Sequence, residues 1–259
     1  MTLFLGIFSA YNYQVSGLEH QVPGLEFNWS DIIIAVLLVL FFVLSSKYAK
    51  VSRFSFRLFL LLVVFAGTQL VSVSVFKPPW ELVATLFVVL VFSFVKNVLA
   101  HNLGVVFGIA GVGAVLGLSI MPKTAVVFLA VLSFYDIIAI YITGHMVRMA
   151  KAMIESGATF GFIIPSRFGD FLYSKKEAQA NVGERFMILG SGDVVLPLVL
   201  ASSVIRFSVA GAVTVGIASL MGLFLTHLIF INQKERRPMA ALPPIATMAI
   251  IGYLLSMWI

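Results

Sequence analysis

The chain has 259 residues, of which 61% are hydrophobic and 11% charged, against about 45–50% and about 25% in soluble domains. That much apolar surface cannot be buried in one globular core, so lipid must solvate a large part of it. The net charge of +6 does not indicate nucleic acid, because the basic residues fall in short gaps between apolar runs rather than on a soluble face. The absence of cysteine excludes a disulfide framework and a thiolate metal site.

A hydrocarbon core needs about 20 apolar residues in a helix. Met1–Ala10 is apolar but too short to cross; it reads as a shortened first span, with an interfacial anchor as the alternative. It lacks the basic region and cleavage pattern of a secretory leader. Eight complete spans are then expected, at Trp29–Ser46, Phe54–Phe76, Leu82–Leu99, Leu103–Met121, Thr124–Met146, Phe186–Val204, Phe207–Ile231 and Met239–Ile259. The connections are short except for Val147–Arg185, which holds most of the polar material. Its first part (Val147, Met149, Met153 and Ile154 among Arg148, Lys151 and Glu155) has the pattern of an amphipathic helical extension. Phe160–Ile164 is a short apolar run closed by Pro165, long enough for a strand but not a span. No internal repeat stands out, so residues 1–259 are read as one membrane-embedded domain of all-α polytopic class.

Fourteen of the 17 lysines and arginines fall in one alternating set of connections. They are Lys47, Lys50, Arg53 and Arg57; Lys96; Arg148, Lys151, Arg167, Lys175, Lys176 and Arg185; and Lys234, Arg236 and Arg237. The other set holds only Lys77, Lys123 and Arg206. Cytoplasmic connections carry the basic excess, so the 147–185 loop is expected in the cytosol and the C-terminus outside. Trp29, Trp80 and Trp258 fall at outer span ends, as an interfacial aromatic belt requires.

Of the eleven acidic residues, only Asp136 and Asp193 lie well inside apolar runs. A carboxylate at mid-membrane costs at least about 2.5–3.5 kcal/mol and so marks a function by default; the alternative is a structural interhelical hydrogen bond. Counted along two antiparallel helices at about 1.5 Å per residue, the aspartates lie roughly 15 and 10 Å from the cytosolic boundary. They can meet face to face. Asp193 ends Gly190-Ser191-Gly192-Asp193, whose glycines are expected to leave room for an approaching backbone, although generic helix packing uses the same residues. Tyr135 precedes Asp136 and is either a hydrogen-bonding neighbour or space-filling, since adjacent helix positions face different ways. At the inner end of the last span, Ala240-Ala241-Leu242-Pro243-Pro244 denies the helix backbone bonds. That is either a proline-initiated helix start or an opened backbone bordering the aspartates.

Tyr135-Asp136, Gly190-Ser191-Gly192-Asp193 and Ala240-Ala241-Leu242-Pro243, in this order, resemble the three motifs of the presenilin and signal peptide peptidase family of intramembrane aspartyl proteases. The third departs at its first position, where Ala240 stands for Pro. The resemblance covers Thr124 to Ile259 and implies a presenilin-like helical bundle of nine spans, with Met1–Ala10 as a shortened first. Residues 29–121 would then be scaffold spans, and 124–259 catalytic spans around the cytosolic loop 147–185. The orientation is similar to that of presenilin, and the compact chain and short loop resemble the archaeal homologues.

The implied activity is endopeptidase cleavage of substrate transmembrane helices, with Asp136 and Asp193 catalytic. Tyr135, Gly190, Ser191, Gly192, Ala241, Leu242 and Pro243 would form the substrate-binding set. Two carboxylates sharing a site hold one proton between them; the ionised member activates water and its partner polarises the scissile carbonyl. No cofactor or metal is expected, because His20, His101, His145 and His227 are dispersed. The expected partners are transmembrane protein substrates and the lipid bilayer, with no nucleic acid. Phe160–Ile164 and the Ala241–Pro243 backbone could pair with an unwound substrate by strand addition. A proton-coupled transporter or channel is the alternative use of paired intramembrane carboxylates.

Overall fold

In the computed structural model, residues 1–18, 49–144, 159–165, 167–180, 185–233 and 239–258 are described. The expected span Trp29–Ser46, the amphipathic stretch after Val147, and Trp29, His20 and His145 lie outside them. The helices are α1 (Thr2–Val15), α2 (Ala49–Val75), α3 (Trp80–Phe94), α4 (Val98–Ser119), α5 (Pro122–Ile137), α6 (Lys175–Ala180), α7 (Gly192–Val204), α8 (Val209–Ile231) and α9 (Leu242–Ser256). A π-helical turn, Ile138–Ile142, continues α5, and a 3₁₀ turn, Phe168–Leu172, precedes α6. Strands β1 (Gly161–Pro165) and β2 (Phe186–Gly190) form an antiparallel pair with Gly161 opposite Gly190 and Ile163 opposite Ile188.

Lipid-facing chemistry is plain on the outer surfaces. Phe87, Phe134 and Phe224 are 67%, 69% and 61% exposed, a pattern that water does not sustain across a whole bundle. Trp80 and Trp258 are likewise exposed at a helix start and just past a helix end. The interior is held together by small residues. Helix α4 is the most enclosed of the long helices and packs against α1, α2, α3 and α7. Its Gly108 and Gly111 lie so close to Gly67 of α2 that a Cβ on Gly67 would collide with the Gly108 carbonyl. This is the small-residue contact that lets transmembrane backbones approach.

Helix α1 carries the apolar Met1–Ala10 segment into the bundle. Leu3, Ile7, Ala10 and Tyr13 are buried at helical spacing, and α1 touches α2, α4, α7 and α8. An interfacial anchor would lie flat in the headgroups, whereas this helix is part of the bundle. Its 14 residues span about 21 Å, short of a full crossing.

Among the described residues, Phe54–Val75, Val98–Ser119, Pro122–Ile142 and Val209–Ile231 are long and apolar enough to cross a membrane. Three expected spans are shorter than the hydropathy suggested. The Leu82–Leu99 expectation ends early because Val95 is extended and Asn97 caps α4, its side chain accepting the Ala100 N–H at 2.8 Å. The last span begins at Leu242 rather than Met239. The Phe186–Val204 expectation is the substantive correction: its first five residues are β2, and only Gly192–Val204 is helical. Apolar periodicity cannot separate a buried strand from a buried helix turn; here pairing with β1 decides it.

The hairpin sits on the bundle through both faces. Phe162 and Leu189 pack with Val105, Val106 and Ile109 of α4, while Ile163 and Phe186 pack with Val98 and Ala178. Backbone bonds from Lys175 N–H to the Lys96 carbonyl (2.8 Å) and from Val98 N–H to the Tyr173 carbonyl (3.1 Å) clamp this cap to the α3–α4 junction.

Candidate active site

Asp136 lies in the last turn of α5, immediately before the π turn, and is 4% exposed. Its Oδ2 accepts the Leu242 N–H at 3.3 Å, so the first turn of α9 is tied directly to the carboxylate. Helix α5 packs against both α7 and α9, which fixes the three elements around one point.

Asp193 reaches that point differently from the sequence expectation. It stands in the first turn of α7, just after β2, so its depth cannot be counted by helical rise from Phe186. Strand and helix advance at about 3.3 and 1.5 Å per residue respectively. The N-terminal position also favours a carboxylate, through the free N–H groups and dipole of the helix start. The Gly190 N–H bonds to this carboxylate, and the Asp193 and Asp136 carboxylates interact electrostatically. Pro197, four residues on within α7, has no N–H to return to the Asp193 carbonyl.

The remaining motif residues divide. A Cβ on Gly190 would stand 3.1 Å from Asp193 Oδ2, whereas one on Gly192 would meet nothing within 4 Å. Neither glycine admits a neighbouring helix backbone, contrary to the expectation; Gly192 instead faces open space beside Asp193. Ser191 N–H extends the hairpin by bonding the Phe160 carbonyl at 3.4 Å, and its own carbonyl accepts from Val194 and Val195. Tyr135 is 56% exposed on the surface of α5, so its side chain is not enclosed with Asp136. Ala241 precedes α9, with its carbonyl 3.5 Å from Thr226 Oγ1. Leu242 is buried, and Pro243 and Pro244 occupy the first turn of α9, where a missing N–H costs no helical bond.

The sheet has one edge already taken. Ile163 gives its N–H to Asn102 Oδ1 (2.9 Å) and accepts from Asn102 Nδ2 at its carbonyl (2.7 Å), and the Gly161 carbonyl bonds His101 Nε2 at 3.1 Å. Residues 161 and 163 therefore point away from β2. Because antiparallel partners alternate between bonded and non-bonded pairs, Gly190 and Ile188 opposite them point away from β1. The outer edge of β2 runs into Asp193, and no described residue pairs with the Ile188 backbone there. His101 and Asn102 were not legible as site residues, since they fall between two expected spans and carry no motif.

The described helices form a polytopic bundle in which the Asp136 and Asp193 carboxylates interact electrostatically. The sequence matches the family described as "Signal-peptide peptidase, presenilin aspartyl protease" over residues 15–259, and the chain belongs to that family. Two solved structures share the fold, both described as a presenilin family intramembrane aspartate protease. The one in space group C222 superposes with a TM-score of 0.62 at 20% identity, covering 98% of this chain and 93% of that one. The one in space group P2 gives 0.57 at 21% identity, covering 99% and 96%. A search of curated protein sequences gives no match. The transporter alternative finds no support in these comparisons.

Proposed function

We infer that this member of the signal-peptide peptidase and presenilin aspartyl protease family cleaves peptide bonds within the membrane. We propose that Asp136 and Asp193 are its catalytic pair. The observation that carries this reading is their convergence: carboxylates from two separate elements interact with each other, and one also holds the backbone of the α9 start. The pair acts as a unit. One carboxylate takes a proton from a water that attacks the scissile carbonyl, and the other polarises that carbonyl and protonates the departing nitrogen.

A transmembrane substrate must unwind to be cut, and its freed backbone needs partners in lipid. Strand addition supplies them, and the outer edge of β2, which pairs with no described residue, favours this strand over β1, the strand that the sequence suggested. A peptide on that edge would run alongside Ile188 toward the open space at Gly192 and the aspartates. We assign the 147–185 loop to the cytosol and the C-terminus to the outside on the distribution of basic residues.

The test is incubation of the detergent-purified protein with a tagged transmembrane substrate, read by product masses across pH. Cleavage should follow a bell-shaped profile and be blocked by a mimic bearing a hydroxyl in place of the scissile carbonyl. A flat profile between about pH 4 and 9 without such inhibition would contradict the shared-proton mechanism.

A further inference from the structure

The contact between the start of α4 and β1 has a form that packing alone does not require. A carboxamide carries one acceptor and a donor side by side, as a peptide group does. Asn102 uses both on the same residue, giving Ile163 what a neighbouring strand would give it. His101 serves the Gly161 carbonyl, two residues away and on the same edge. A carbonyl only accepts, so Nε2 of His101 is the donor in this bond. The ring is 2% exposed, stacks on Phe92 at a centroid distance of 5.7 Å, and its Nδ1 meets no hydrogen-bonding group among the described residues. Two adjacent residues of one helix thus act as a third strand. They join the sheet to α4, the most enclosed of the long helices, at fixed height.

We propose that Asn102 and His101 are positioning residues that set the register of the β1–β2 hairpin against the aspartates, and so determine which peptide bond of a transmembrane substrate is cut. This rests on the protease reading above. The chain of contacts is short: Asn102 and His101 hold β1, β1 holds β2 through five paired residues, and β2 leads through Gly190-Ser191-Gly192 to Asp193. A peptide bound along β2 takes its register from that strand. Because a strand presents the same face every second residue, a loosened hairpin would shift the cut by two residues rather than by one. Neither side chain touches the reacting atoms.

The experiment compares wild type with Asn102→Leu, Asn102→Asp, His101→Phe and His101→Gln on one tagged transmembrane substrate. Product masses are read together with melting temperature and amide exchange in residues 161–165 and 186–190. Leu preserves the shape of Asn but removes both bonds; Asp keeps only the acceptor. Gln can present a donor near the position of Nε2, whereas Phe cannot. For Asn102→Leu and His101→Phe we expect faster exchange at β1, a loss of about tenfold in kcat/KM at the main bond, and new products displaced by two residues. His101→Gln should restore the wild-type cut, and Asn102→Asp should lie between wild type and Asn102→Leu. A variant that cuts more slowly but at the same single bond would overturn the proposal, because loss of stability alone lowers rate without moving the cut. Unchanged exchange at Ile163 in Asn102→Leu would overturn it as well. If Asn102→Leu fails to fold, Asn102→Asp and the His101 pair decide on the same criteria. Failure of the protease reading looks different: wild type itself would give no cleavage, or cleavage that survives Asp136→Asn, and the proposal would fall with it.

Discussion

Replacing Pro243 by Ala separates a helix start from a functional backbone break. Residues 239–241 are non-helical and α9 begins at Leu242, whose N–H is bound to Asp136 rather than to a preceding carbonyl. Pro243 and Pro244 prevent the helix from growing backwards, because neither can donate to the carbonyls of Met239 and Ala240, and their rings crowd them. With Ala at 243 one of those bonds becomes available, and extension by a turn would swing the Leu242 N–H into the helix and away from the carboxylate. A hydrogen bond to a charged group contributes about 1.5–3 kcal/mol, and the 3.3 Å length places this one at the low end. The loss then corresponds to a fall of about tenfold in cleavage rate. Stability should move the other way or not at all, since alanine is the better helix former once the helix extends. Pro243→Ala with Pro244→Ala should fall further, because the second obstacle goes too. Leu242→Ala supplies the opposite phenotype: its side chain is 4% exposed in the main core, so truncation should cost about 2–5 kcal/mol of stability while the N–H stays in place. The assay is cleavage rate and melting temperature on the same preparations. Full activity in Pro243→Ala, with stability unchanged or raised, would refute the reasoning and leave the prolines as an ordinary helix start.

Gly67→Ala and Gly192→Ala should behave oppositely. The first forces a Cβ into the Gly108 carbonyl and should lower stability by about 1–3 kcal/mol or more. The second meets open space and should leave the melting temperature unchanged or slightly raised while reducing cleavage. Wild-type cleavage in Gly192→Ala would show that no substrate passes there. Lys175, in the cap, has its ammonium pushed down to about 8 by burial and by nearby Arg57. The unfolded chain therefore holds that proton more tightly, and stability should rise with pH between about 8 and 10.5. Lys175→Met should remove this rise and be the more stable form at pH 7, by on the order of 1–3 kcal/mol. Superimposable pH profiles of melting temperature for the two proteins would contradict it.

The two aspartates were legible because a carboxylate in an apolar run has so few innocuous explanations, and the motif order around them named the family. Strand β1, Gly161–Pro165, was legible to within one residue from the short apolar run Phe160–Ile164 and the proline after it. Its partner was not: Phe186–Gly190 is apolar and continuous with α7, so hydropathy merged a strand and a helix into one span. That error misplaced Asp193 along its element while still bringing it to Asp136, because the convergence depends on how α5, α7 and α9 pack rather than on helical rise. Asn102 was invisible for another reason. Its role exists only through a contact across 61 residues of sequence, and no local pattern encodes which backbone a carboxamide will meet. The packing glycines of α2 and α4 likewise acquire meaning only when Gly67 and Gly108 are seen to touch.

The most direct test of the central claim is cleavage of a tagged transmembrane substrate by Asp136→Asn and Asp193→Asn, each compared with wild type after verifying that it purifies and melts normally. Neither carboxylate can serve as both proton acceptor and proton donor in the same step. Each single variant should therefore lose cleavage while keeping its fold. Near wild-type cleavage by either one would contradict the catalytic pair.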